Sequence, residues 1–303
     1  MSLHRLTSII VGVPNVEATA AFYREFGLIE TAPGRFITAD GGEQLVLTSA
    51  PQRNLLELGI GADDPDDLGR IAAALAQLGI AARHDAATLH TADPATGLPV
   101  VVRVTDRVVP RAADAAACNG PGHTTRTNTR AAAVARKSPV RPRKLGHVVM
   151  GSTDAALSRR FFVDGIGFKV SDEIPDVGGA FMRCSPDHHN VLVQQAPLSF
   201  LHHVAWEVDD IDEIGRGAQH LLADHPERHV WGPGRHCVGS NFFWYLRDPA
   251  GNFAEYYSDL DVIVDDERWK PAVWSGLETL KSWGPPVTMS FLAPEDLAER
   301  MAR

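Results

Sequence analysis

The stretch Leu145-Gly146-His147-Val148-Val149-Met150, continued by Ala155 to Phe162 and Ile166-Gly167-Phe168, has a near-copy earlier in the chain. There the order is Leu6-Thr7-Ser8-Ile9-Ile10-Val11, then Val16-Glu17-Ala18-Thr19-Ala20-Ala21-Phe22-Tyr23, then Phe26-Gly27-Leu28. In both copies an apolar strand leads to a helix with a small and aromatic face, and a glycine turns the chain out of it. Two later passages repeat as well. Leu55-Leu56-Glu57-Leu58 leading through Asp63 to Gly69 resembles Leu201-His202-His203-Val204 leading through Asp209 to Gly215. Each reads as an alternating strand entering a helix whose first turn is acidic, where carboxylates suit the helix dipole. Asp93-Pro94-Ala95-Thr96-Gly97 before Val100 to Val104 matches Asp248-Pro249-Ala250-Gly251 before Phe253 to Tyr257, a turn into a strand each time.

Strand, helix, then several strands, given twice, predicts an α+β chain rather than a doubly wound parallel sheet. We divide it into a first module over residues 1–110, a linker over 111–144, a second module over 145–262 and a tail over 263–303 that packs on the second module. The linker is rich in Ala, Arg, Thr and Pro without periodicity, and its basic cluster from Arg126 to Lys144 reads as solvated. In the tail, Trp269, Trp274 and Trp283 read as buried anchors, and Pro294 to Met301 as helical.

The bulk numbers narrow the function. With 303 residues, 44% hydrophobic and 22% charged, the chain has a globular balance and enough material for two domains. The longest apolar runs, such as Val100 to Val104, are too short to span a bilayer, and the N-terminus lacks a signal-like pattern. We therefore expect a cytoplasmic protein without a membrane partner. A net charge of -9 disfavours nucleic acid, whose binding rests on basic side chains. The three cysteines, Cys118, Cys184 and Cys237, have no Cys-x-x-Cys spacing and suggest neither disulfides nor a thiolate metal site.

The repeat itself points to chemistry. Three strands of the second copy carry His147, His203 and Glu255, where the first copy has Ser8, Glu57 and Val101. A lone histidine on a strand is usually a satisfied core or surface residue, and this chain has 13 of them. Two imidazoles and one carboxylate at equivalent strand positions of a single copy are less easily dismissed. That donor set suits divalent iron with open coordination positions. It leaves residual positive charge and about three free sites, enough for a chelating substrate and a gas molecule.

The passage from Gly232-Pro233-Gly234-Arg235-His236 through Asn241-Phe242-Phe243-Trp244-Tyr245 to Asp248-Pro249-Ala250-Gly251-Asn252-Phe253-Ala254-Glu255 resembles the signature of the type I extradiol ring-cleavage dioxygenases. These belong to the vicinal oxygen chelate superfamily. The specific motifs lie between Leu145 and Asp259, whereas the architecture extends over the whole chain. The resemblance implies two modules, each of paired βαβββ units forming a curved mixed sheet around a central cavity. It also implies His147, His203 and Glu255 as ligands of Fe(II), with Mn(II) as the alternative. In Asp187-His188-His189-Asn190 it points to His189 as a pocket acid or base, while a shift of one residue would select His188. His236 matches a histidine on the oxygen-binding side and Tyr245 a tyrosine that hydrogen-bonds the substrate. A surface loop His and a core Tyr are their bland readings.

Trp244 departs from the family, which usually has an aliphatic residue before the tyrosine. Members that hold a substrate carboxylate carry an arginine just before Gly-Pro-Gly-Arg-His; here Trp231 stands there, so an apolar or aromatic ring substituent is favoured. The implied reaction is extradiol cleavage of a catecholic diol with both atoms of O2 incorporated, in aromatic compound degradation, by an enzyme expected to be a homo-oligomer. Two other readings stay open: a glyoxalase-type metal enzyme that does not use O2, and a non-enzymatic binding module of the same fold.

Overall fold

The repeated apolar strands form two sheets in the computed structural model, which describes residues 3–113, 117–294 and 296–302. The first module runs β1 (Leu3–Val13), α1 (Val16–Glu25), β2 (Ile29–Ala32), β3 (Arg35–Thr38), β4 (Gly42–Ser49), and again β5 (Asn54–Ala62), α2 (Pro65–Gln77), β6 (Arg83–His84), β7 (Thr88–Ala92), β8 (Pro99–Val104). Its sheet has the order β2-β3-β4-β1-β5-β8-β7-β6. A short helix α3 (Ala132–Ala135) lies in the connection. The second module repeats the pattern with β9 (Leu145–Ser152), α4 (Ala155–Arg160), β10 (Lys169–Ile174), β11 (Gly179–Arg183), β12 (Val191–Gln195), β13 (Phe200–Glu207), α5 (Ile211–Leu222), β14 (His229–Arg235), β15 (Phe242–Arg247) and β16 (Phe253–Ser258). From the tail, β17 (Ala272–Val273) joins the edge of this sheet. Helices α6 (Met289–Leu292) and α7 (Leu297–Met301) follow. The predicted Pro294–Met301 helix is therefore shorter, and its Glu295 lies outside the described residues.

The acidic turns cap helices as anticipated. Asp64 accepts from the Asp67 amide at the head of α2, and Asp210 from the Glu213 amide at the head of α5. α4 opens into a wider helical turn over Phe161–Ile166, which ends at Gly167 in the left-handed region with φ 97°.

The two modules share one core. Val148 and Met150 of β9, Val204 and Trp206 of β13, and Ala254 and Tyr256 of β16 are buried with Phe22, Tyr23 and Phe26 of the first module. The Phe26 and Tyr256 rings stack with centroids 3.8 Å apart, and the Tyr256 hydroxyl donates to the Phe26 carbonyl at 2.6 Å. Because side chains alternate along a strand, the intervening residues, among them His147, His203 and Glu255, face the opposite side of the second sheet.

Two expectations need correction. The segment from Arg136 to Lys144 is not a freely solvated linker. Arg136 pairs with Asp210 and Glu213, Arg143 with Asp40 and Asp209, and Lys144 with Asp187. The acidic entry of α5, the β3–β4 turn at Asp40 and the loop at Asp187 give these cations a place to dock. Trp283 is not a buried anchor: its side chain is 46% exposed, and it is its backbone that pairs with Arg235. Trp269 and Trp274 do anchor the tail, their indole N–H groups donating to the Ser171 carbonyl (2.9 Å) and to Asp172 Oδ2 (2.7 Å). The tail also reaches the first module, where Arg53 makes a two-pronged ion pair with Asp296, both contacts 2.7 Å.

Candidate metal centre

Ladder register places the three candidate ligands on adjacent strands. Ala205 of β13 is opposite both His147 of β9 and Glu255 of β16, with His203 two residues away on the same strand. The first module has the same registers, with Gly59 opposite both Ser8 and Val101 and Glu57 two residues from it. Ser8, Glu57 and Val101 are thus the structural equivalents of His147, His203 and Glu255. In the first module Glu57 is satisfied instead by Arg103 at 2.7 Å.

In the second module the ligand atoms converge. One donor atom each from His147, His203 and Glu255 lies within 4.8 Å of the others, and all three residues are buried. Glu255 Oε2 is 3.0 Å from His147 Nε2 and 3.4 Å from His203 Nε2. Donors about 2.0–2.2 Å from one ion and roughly at right angles would lie about 3.0 Å apart, so this spacing fits a shared cation. Of these atoms, His203 Nε2 is buried with no hydrogen-bond partner, as a lone pair reserved for a metal would be. Burial pushes the His203 imidazole well below its ordinary pKa, with His202 and His147 adding to the effect, so that ring is neutral and able to ligate.

The cluster opens on a cavity with about 730 Å³ of space between its walls, part of it open to solvent. His189, His236 and Tyr245 line it together with His147 and His203. His189 rather than His188 faces the site: its ring centroid is 4.2 Å from that of His147, while His188 packs edge-on to Trp269 and lies 3.4 Å from Asp172. Burial, reinforced by His147, lowers the His189 pKa well below its ordinary value. His236 Nδ1 is bonded to the Leu280 carbonyl, so it carries the proton, and Nε2 can accept from the Tyr245 hydroxyl at 3.0 Å. Burial, more than the nearby Glu255, holds the Tyr245 phenol well above its usual range.

The other walls are apolar. They include Phe181, Leu192, Trp231 and Val238 and, from the tail, Leu280 and Phe291; no Lys or Arg lines the cavity among the described residues. Trp231, 1% exposed, stacks in parallel on Tyr245 with centroids 5.7 Å apart. Trp244 belongs to the opposite face, its indole donating to His229 Nδ1 at 3.0 Å, so this departure from the family does not reach the cavity.

Residues 144–256 match the family described as the Glyoxalase/Bleomycin resistance protein/Dioxygenase superfamily. The likeness to this superfamily thus lies within the second module. Among curated proteins, the chain is 36% identical over 155 residues to metapyrocatechase 2 of Cupriavidus necator, covering 50% of this chain and 48% of that one. It is 31% identical over 143 residues to the manganese-dependent 2,3-dihydroxybiphenyl 1,2-dioxygenase of Geobacillus genomosp. 3, covering 45% of each. The chain thus spans about half the length of the curated relatives it matches. Solved structures extend the likeness of fold across both modules. A Mn(II)-bound glyoxalase from Novosphingobium aromaticivorans superimposes with a TM-score of 0.74 at 24% identity, covering 93% of this chain and 91% of that one. Homoprotocatechuate 2,3-dioxygenase from Arthrobacter globiformis gives 0.76 at 19%, covering 96% and 91%.

Sequence reasoning missed Asn241 as a site residue, although it falls in the quoted motif. Fully buried, its Nδ2 donates to Glu255 Oε1 at 3.2 Å. His202, passed over in favour of its neighbour, also lines the cavity. The adjacency of His202 to His203 was the available signal for the one, and the place of Asn241 within the quoted motif for the other.

Proposed function

We propose that the chain is an extradiol dioxygenase in which His147, His203 and Glu255 hold a divalent ion, Fe(II) or Mn(II). The substrate is a catecholic diol whose ring opens beside the two oxygens, with both atoms of O2 incorporated. The observation that carries this reading is the buried cluster of two histidines and a carboxylate facing a cavity that also contains His189, His236 and Tyr245. When bound, the ion would supply the positive charge that chelates both diol oxygens and brings dioxygen beside the ring.

The chain's own groups supply orientation and proton movement. His189, neutral and buried, accepts a proton from a diol hydroxyl at its free ring nitrogen. Tyr245, protonated at any working pH, donates a hydrogen bond to a substrate oxygen. With its Nδ1–H held by the Leu280 carbonyl, His236 uses Nε2 to exchange a proton on the oxygen side. The apolar walls exclude water from the reacting ring.

The same walls favour a diol bearing an apolar or aryl substituent over a carboxylated one, since among the described residues no Lys or Arg lines the cavity to balance a carboxylate. The 2,3-dihydroxybiphenyl named for the Geobacillus relative belongs to this class. The test is anaerobic loading with Fe(II) or Mn(II), followed by oxygen uptake with monocyclic, biphenyl and carboxylated catechols. Wild type is expected to bind metal and consume oxygen with the apolar diols; Glu255→Ala is expected to lose both. Retained metal and ring cleavage in Glu255→Ala would refute the ligand assignment. Metal binding without oxygen uptake would favour a glyoxalase-type reaction, and no metal binding a binding module.

A further inference from the structure

The ladder between β9 and β13 pairs Leu201 with Met150 and His203 with Val149, leaving His202 as an extra residue without a partner of its own. This is a β-bulge. A bulge changes the direction of the side chains around it, and here two consecutive histidines line the same cavity instead of alternating across the sheet. The kink is tied from outside: Arg53 of the first module, 2% exposed, donates to the Leu201 carbonyl at 2.7 Å and holds Asp296 of the tail with its other nitrogens.

Donors and acceptors around the bulge allow one arrangement that leaves a ligand free. His202 Nε2 lies 2.6 Å from the Phe291 carbonyl, which can only accept, so Nε2 carries a proton. His202 Nδ1 lies 2.8 Å from His203 Nδ1. In a neutral His202 that Nδ1 is a lone pair, and it must receive the proton of His203 Nδ1. His203 Nε2 is then bare, and it is the buried atom that has no hydrogen-bond partner in the protein. The opposite assignment, with His202 donating from both nitrogens, would put the proton on His203 Nε2 and block it.

We infer that His202 is a positioning residue: it fixes the tautomer of the ligand His203 and joins the metal centre to the tail through the Phe291 carbonyl. This rests on the metal-site reading above. Phe291 and Leu280 are walls of the same cavity, so the relay connects ion binding to the segment that closes the substrate space. By linkage, any preference of the ion for the docked tail is matched by a preference of the docked tail for the ion.

Three measurements test it. Long-range proton–nitrogen NMR on histidine-labelled, metal-free wild-type protein is expected to show His203 protonated at Nδ1 and bare at Nε2; an Nε2-protonated ring would overturn the inference without any variant. Mn(II) affinity is then measured by chelator competition for wild type, His202→Phe and His202→Asn. The phenyl ring keeps the packing against Phe253 and Phe291 but cannot accept, and a loss of about 10–100-fold is expected, the usual effect of removing such a partner. Asparagine restores an acceptor near the Nδ1 position and should recover much of that loss. Mn(II) should also slow proteolysis at Lys281 and Arg300 in wild type but not in His202→Phe. Equal affinities in all three proteins would overturn the relay while leaving the metal site standing. Failure of wild type to bind Mn(II) or Fe(II) would instead sink the metal-site reading on which the relay depends.

Discussion

Replacing Asn241 by Ala removes a side-chain amide that holds the Glu255 carboxylate. The Nδ2 donor is 3.2 Å from Glu255 Oε1 and 3.4 Å from the Phe242 carbonyl, and both side chains are completely buried. A hydrogen bond to a charged group contributes about 1.5–3 kcal/mol. At about 1.4 kcal/mol per tenfold, its loss corresponds to roughly a 10–100-fold weaker hold on a divalent ion. Two features place the expected value near the lower end. The donor is shared with a second acceptor, and Asn241 Oδ1 has no partner, so truncation also relieves a buried unsatisfied oxygen. About tenfold is therefore the expected loss of Mn(II) or Fe(II) affinity, read by chelator competition on metal-free protein, with the fold intact by circular dichroism. Asn241→Asp should lose more, because it sets a second carboxylate against Glu255. An Asn241→Ala protein binding metal within twofold of wild type would refute the idea that this amide orients the ligand.

Three further outcomes follow from the structure. His189→Phe should retain metal but lower the ring-cleavage rate by about 10²–10⁴-fold, the usual contribution of a positioned acid or base. Because burial lowers the His189 pKa, its proton-accepting form persists below the ordinary histidine range. The acid limb of kcat/KM in wild type should accordingly fall below pH 6.5, and a limb at or above that value would contradict the buried setting. Tyr256→Phe leaves the Phe26 carbonyl without its 2.6 Å donor at the junction of the modules, at a cost of about 1–3 kcal/mol. Taking roughly 2.1 cal/mol/K of unfolding entropy per residue over 303 residues, Tm should drop by about 2–5 °C in calorimetry. A change of less than 1 °C would mean that the hydroxyl does not secure the junction.

Much of this protein is written locally. Once Leu145 to Met150 and Phe253 to Tyr257 are strands, the alternation of side chains decides which residues face the core and which the cavity, and the order of elements, met twice, decides the α+β plan. Asp64 and Asp210 announce helix starts because a short carboxylate side chain reaches the orphan amides of a first turn. The candidate ligands were legible for a related reason: comparison of two copies separates His147, His203 and Glu255 from a scaffold that works equally well with Ser8, Glu57 and Val101. Other features depend on what comes to lie against a strand from far away, and periodicity carries no record of that. Nothing local says that His189 rather than His188 faces the site, since Asp172 and Trp269 hold His188 from outside. The bulge that puts His202 beside His203 is a property of two paired strands, and the carbonyl that orients it belongs to a segment 89 residues later. Trp283 illustrates the limit from the other side: its composition suggested an anchor, but the tail docks there through its backbone, leaving the indole half exposed. Sequence alone sets element type and facing because these follow from neighbours along the chain. Only the tertiary structure decides proton positions and cavity walls, because these follow from neighbours in space.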